Sequence, residues 1–221
     1  LKPEQASHYI LGYEFNKSEG LFVFRVEGYY KDYKNLVLRD TSTFLYSSGG
    51  KGYAKGIDVF LKSTVTNKYS TWISYAYTDS KRSQYNALKE SPASYDITHN
   101  LTFVASYSIS DLITTGLSYR LSTGKPYTPI TGGIYDPNAN AYQPIYAETN
   151  SGRFPTYQRM DVNFQYVFSL FGRFAIAVFQ INNLLNQKNL YDYTYNFDYS
   201  KREEIVTTNK RQFYMGLGLQ F

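Results

Sequence analysis

Cysteine is absent from the 221 residues, tryptophan occurs once, and histidine and methionine occur twice each. Without cysteine there is no disulfide framework and no thiolate metal centre, which fits an oxidising or membrane location without demonstrating one. His8 and His99 have no histidine at metal-ligand spacing, so both read as structural residues at strand starts, and no metal or cofactor is expected. Long hydrophobic runs are also missing. No stretch approaches the ~20 continuous apolar residues of a membrane helix. G-x-S-x-G and Gly-rich phosphate loops are absent. Asp96, His99 and Ser106 resemble a hydrolase triad in composition only. His99 and Ser106 lie an odd number of residues apart, so on a strand they face opposite sides. No enzymatic activity is expected.

What the chain does have is aromatic residues, 25 tyrosines and 15 phenylalanines, against a mean hydropathy of −0.44. Aromatics dispersed among polar residues suit strands in which only alternate positions meet lipid, with tyrosine at the membrane–water boundary. Composition alone leaves a soluble Tyr-rich β-sandwich open. The net charge of +5 is spread over loops and strand ends rather than gathered on one element, so nucleic acid is not an expected partner.

Period-2 patterning runs the length of the chain and predicts nine strands, at 8–15, 21–33, 53–63, 69–79, 97–109, 112–123, 157–168, 173–184 and 212–221. The phase of the eighth is ambiguous. In the last strand Phe213, Met215, Leu217, Leu219 and Phe221 share one face, and Tyr214, Gly216, Gly218 and Gln220 share the other. Short turns at 16–20, 64–68, 110–111 and 169–172 alternate with long segments at 40–52, 80–96, 124–156 and 185–211. A sandwich has no reason to keep that order. A transmembrane barrel does, with short periplasmic turns and long extracellular loops. The expected fold is therefore all-β, an antiparallel transmembrane β-barrel, with Phe221 at the periplasmic end as a terminal assembly signal.

Nine strands are an odd number, whereas single-chain bacterial barrels have even numbers. A first strand descending from the outer surface would also leave residues 1–7 outside the cell. The expectation is that 1–221 forms the C-terminal part of a larger barrel. An open sheet would leave two unpaired edges in hydrocarbon, where each unmet backbone group costs several kcal/mol. The first and last strands should pair with strands beyond these residues or, alternatively, with each other in a small closed barrel.

Several segments then match a known family in order along the chain. Residues 1–15, LKPEQASHYILGYEF, resemble an "LKPE…YELGYE" strand of TonB-dependent outer-membrane receptors. Residues 52–59 are similar to "G.A.GIEL", 95–101 to "FDQRHTL", 122–129 to "SGRPYTP", 153–161 to "R.P.YHRLD" and 182–186 to "NLFN", followed by a last strand ending in Phe221. The resemblance implies a 22-stranded barrel holding a plug, of which these would be the last nine strands. It also implies import of a scarce nutrient across the bacterial outer membrane with energy relayed by TonB. Implied partners are the plug and the remaining strands, the TonB system through that plug, and outer-membrane lipid; a surface lipoprotein is a further candidate. Asn- and Tyr-rich loops suggest a Bacteroidota-type receptor. A passive porin-like channel and a barrel anchoring a cell-surface complex stand as rivals, and the substrate stays open.

Two residue groups stand out. Arg25, Glu27, Asp58, Arg120, Arg159 and Asp161 fall on the polar strand faces, where they would line the lumen and pair with one another or contact the plug. Arg120, Arg159 and Asp161 are expected to pair near the outer end. The long segment 125–155 carries Tyr127, Tyr135, Tyr142, Tyr146, Glu148 and Arg153, which would either face a ligand or pack the loop.

Overall fold

In the computed structural model, residues 1–17, 21–40, 42–66, 68–84, 87–207 and 210–220 are described. Phe221 lies outside them. The wall-forming strands are β1 (Gln5–Lys17), β2 (Phe22–Arg39), β3 (Tyr46–Thr66), β4 (Tyr69–Gln84), β6 (His99–Ser110), β7 (Ile113–Ser122), β12 (Tyr157–Leu170), β13 (Arg173–Asn182) and β16 (Gln212–Leu219). They pair antiparallel in the order β1-β2-β3-β4-β6-β7-β12-β13-β16. These correspond one to one with the nine expected strands. The long connections carry short strands of their own: β5 (Ala87–Pro92), β8 (Pro126–Tyr127), β9 (Ile130–Asp136), β10 (Ala141–Tyr146), β11 (Gly152–Arg153), β14 (Leu190–Tyr195) and β15 (Arg202–Val206). The expected loop at 40–52 is largely strand instead. β2 runs on to Arg39 and β3 begins at Tyr46, paired in register as Arg39↔Tyr46.

Cross-strand partners in a sheet point to the same side, so the register assigns every residue a face. One row reads Phe15, Phe24, Leu61, Ile73, Phe103, Tyr119, Met160 across seven strands. The row one residue away on the opposite face reads Arg25, Phe60, Ser74, Thr102, Arg120, Arg159. The first row is apolar or aromatic throughout, and the second is charged or polar except for Phe60. The phase of β13 is fixed by its partners: Ala177, Phe179 and Ile181 lie with the apolar set opposite Leu217, Met215 and Phe213.

Among the described residues the buried hydrophobics are Leu36, Leu38, Phe154 and Ala175. No dry core lies between stacked sheets; the apolar face is exposed instead, as a lipid-facing wall requires. Towards the long-loop end that face passes into an aromatic border. Tyr30 lies 6.5 Å from both Tyr9 and Tyr53, and Tyr77 lies 5.4 Å from His99. In register with Tyr30, the Lys55–Asp79 ion pair at 3.4 Å marks the return to water. The path does not close: β1 and β16 are its two ends and do not pair with each other among the described residues. The small closed barrel is thereby set aside.

Candidate functional site

The charged lumen face and the outer mouth are the two places where polar chemistry collects. On the lumen face, all six charges expected there share one side of the sheet. Glu27 and Asp58 oppose each other directly, two residues along from the row of Arg25, Arg120 and Arg159. Arg25 approaches Glu14 at 3.9 Å and lies 5.5 Å from the centre of the Phe60 ring. Arg25 and Phe60, with Glu27, Asp58 and Ser74, line a cleft of about 440 Å³.

Arg159 and Asp161 stand two apart on β12 and therefore project from the same side. Arg159 Nε donates to both Asp161 oxygens, at 2.8 and 2.9 Å. Asp161 Oδ1 also accepts from the Asn183 backbone amide at 2.8 Å. Arg120 sits opposite Arg159 in register yet forms no ion pair among the described residues. The pair that forms thus lies within one strand, and the expected three-residue cluster reduces to two.

Among the described residues, the outer mouth is built by connections 87–98, 123–156 and 183–207. Asp96 is buried, at 3% exposure. It accepts from the Ser80 amide at 2.9 Å and pairs with Arg153, which also donates to the carbonyls of Asp96 at 2.7 Å and Gly124 at 3.2 Å. Asn150, with φ of 55°, donates through Nδ2 to the Pro92 carbonyl at 2.7 Å and to Ser94 Oγ at 3.3 Å. Lys89 and Glu148 add a solvent-exposed bridge at 3.3 Å. The second connection is thereby fastened to the first.

Its other side fastens to the third. Tyr127, Phe154 and Tyr193 form a ring triad with centroids 4.5, 5.2 and 5.3 Å apart. Arg202 lies 4.0 Å from the Tyr193 ring centre and donates to the Tyr127 hydroxyl at 3.1 Å. Burial, followed by the neighbouring Tyr127, pushes the Tyr193 phenol above its ordinary pKa. Tyr142 packs between Tyr135 at 5.3 Å and Phe197 at 5.9 Å. Tyr146 remains 62% exposed and Tyr135 48%.

Tyr127, Tyr142 and Arg153 thus stand in internal contacts, while Tyr135 and Tyr146 offer open ring surface. Asn150, Asn183 and Asn189, none of them among the expected site residues, do comparable positioning. Asn189 exchanges hydrogen bonds of 3.0 Å with both the amide and the carbonyl of Gln158, as a strand neighbour would. Asn183 caps its own turn, its side chain bonding Gln187 N at 2.9 Å and Gln187 O at 3.0 Å. The signals available were the segment 182–186, which contains Asn183 and Asn186, and the asparagine-rich character of these loops, since asparagine tolerates the positive φ seen at Asn150, Asn183 and Asn186.

Comparison with known proteins bears on what this wall belongs to. No curated protein matches the chain. Among solved structures, the ferric-catecholate import receptor Fiu from E. coli K12 superposes with a TM-score of 0.69 at 15% identity, over 100% of this chain and 28% of its own. The ferripyoverdine receptor of Pseudomonas aeruginosa, bound to ferripyoverdine, gives 0.66 at 14% identity over 98% and 27%. The ferric citrate transporter FecA in its unliganded form gives 0.65 at 17% identity over 98% and 31%. The chain therefore spans about three tenths of each of these neighbours. Residues 1–184 match the model of the TonB dependent receptor-like beta-barrel family. The chain belongs to that family of bacterial outer-membrane receptors.

Proposed function

We propose that residues 1–221 form the closing part of an outer-membrane active importer, in which a plug and further strands complete the wall. The observation that carries this reading is the lumen face, whose charges of both signs lie on a sheet with both edges open. Arg25, Glu27, Asp58 and Arg120 suit a wall that holds a polar plug by ion pairs. In β1 and β16, backbone groups on one side await partners, which further strands would supply. The plug would receive TonB, and release of cargo would follow that contact. Tyr135 and Tyr146 would meet cargo at the mouth. Ferric complexes are the first cargo to test, because the neighbours named above carry them by name.

The test uses cells producing the full-length receptor and a radiolabelled ferric complex that they accumulate. Uptake should stop when TonB is deleted or the proton gradient is collapsed, while surface binding persists. Continued uptake in both conditions, with steady ion conductance of the purified protein in planar bilayers, would establish a passive channel instead.

A further inference from the structure

A second cavity, of about 450 Å³, opens at the long-loop end between β2, β3, β4 and the segment that follows β5. Ala54, Thr78 and Ser80 in its wall share the lumen face with Asp58 and Ala76. Two arginines, Arg39 and Arg82, also line it. Neither makes an ion pair among the described residues. Three acids nearby are already committed: Asp96 is held by Arg153 and the Ser80 amide, Glu4 accepts from the Val37 amide at 2.9 Å, and Asp40 accepts from the Ser42 and Thr43 amides. Arg39 is steadied by the Phe44 ring, 5.1 Å from its guanidinium carbon. β3 lies close against β4 at the root of Arg82, where a Cβ on Gly52 would meet the Arg82 Cβ at 2.9 Å. Ser94 accepts a hydrogen bond from Asn150, which leaves its hydroxyl proton free to donate into the cavity.

We propose that this cavity binds an oxyanion, a carboxylate or phosphate borne by the imported molecule, with Arg39 and Arg82 as the anion-binding pair. Planar guanidinium forks suit such groups, and two uncompensated cations with a hydroxyl donor leave an excess of donors over acceptors. The proposal rests on the import reading only in taking the oxyanion to be cargo.

The test is calorimetric titration of the detergent-solubilised full-length receptor, in about 20 mM salt to limit screening, with inorganic pyrophosphate, citrate and uncharged sucrose. Pyrophosphate or citrate should bind and sucrose should not. Arg39→Gln and Arg82→Gln should each weaken binding roughly tenfold or more, and Arg82→Lys, which keeps the charge but loses the fork, less than that. Each variant is used only if it retains the compact mobility of the unheated barrel. Absence of oxyanion binding, or equal binding by both glutamine variants and the parent, would overturn the proposal. Because no energy source enters this assay, intact binding alongside TonB-independent uptake would refute the import reading and leave the site standing.

Discussion

The hydroxyls of Tyr29 and Thr78 lie 2.9 Å apart although their strands, β2 and β4, are separated by β3. The tyrosine reaches across Gly56, where a Cβ would meet the Tyr29 oxygen at 2.5 Å and collide with the Tyr77 carbonyl. Gly56→Val should therefore displace the ring, break the hydroxyl pair and lower stability by about 1–3 kcal/mol through overpacking. Gly28 is the internal control, since a Cβ there meets nothing within 4 Å; Gly28→Ala should stay within about 0.5 kcal/mol. Denaturant midpoints in detergent compare the two. Equal midpoints would refute the account of Gly56.

The face assignment predicts an asymmetry between neighbouring positions. Ile73→Arg, on the apolar row, should cost about 2–4 kcal/mol if its strand crosses the bilayer core. Ala76→Arg, on the other face and in register with Asp58, should cost far less. Folding yield into vesicles and urea midpoints report both. Similar losses from the two substitutions would mean that the faces are not distinct.

Removing one member of the Asp96–Arg153 pair strands the other. Arg153→Met leaves a buried carboxylate with the Ser80 amide as its remaining hydrogen-bond donor and should cost about 1–3 kcal/mol, confined to the mouth. Limited proteolysis within 123–156 should accelerate several-fold while the wall strands stay protected. An unchanged digestion pattern would show that Asn150 and the ring triad hold the loops without this pair.

The third connection carries a pH signature. The Ser200 hydroxyl and then the Ser200 amide, at 2.7 and 3.0 Å, hold Asp198 below its ordinary value of 3.8. A depressed carboxylate contributes above its unfolded value and loses that contribution as pH falls through the folded one. The turn at 196–201 should thus keep constant amide protection at neutral and mildly acidic pH and loosen only below 3.8. Hydrogen exchange at Ser200, corrected for intrinsic rates, follows it. Loss of protection already near neutral pH, or its survival in Asp198→Ala, would contradict the assignment.

Most of the nine wall strands were legible because alternation over about ten residues leaves no other period, and one buried or lipid-facing side fixes the register; the phase of the eighth came only from its partners. The segment 46–52 was misread as loop because Ser47, Ser48, Gly49 and Gly50 carry no apolar signal. Its strand exists because Gly50 lets β3 close on β2, where a Cβ would come within 2.8 Å of the Leu36 carbonyl. Alternation also placed Arg120, Arg159 and Asp161 on one side. It did not reveal which carboxylate and guanidinium meet, because that depends on side-chain reach along β12. The fastening of the mouth was illegible for a different reason. Asn150 and the Pro92 carbonyl are 58 residues apart, and nothing local in either segment announces the other.

The account rests most directly on the two faces of the wall, and an accessibility scan along β4 tests them. The 221 residues contain no cysteine, so single cysteines at positions 71 to 78 of the full-length receptor, in a background cleared of any others, can carry nitroxide labels in vesicles. Labels at 71, 73, 75 and 77 should relax with dissolved oxygen, and those at 72, 74, 76 and 78 with a water-soluble nickel complex, in strict period two. A flat profile, or oxygen accessibility on the even set that bears the lumen charges' neighbours, would contradict the account.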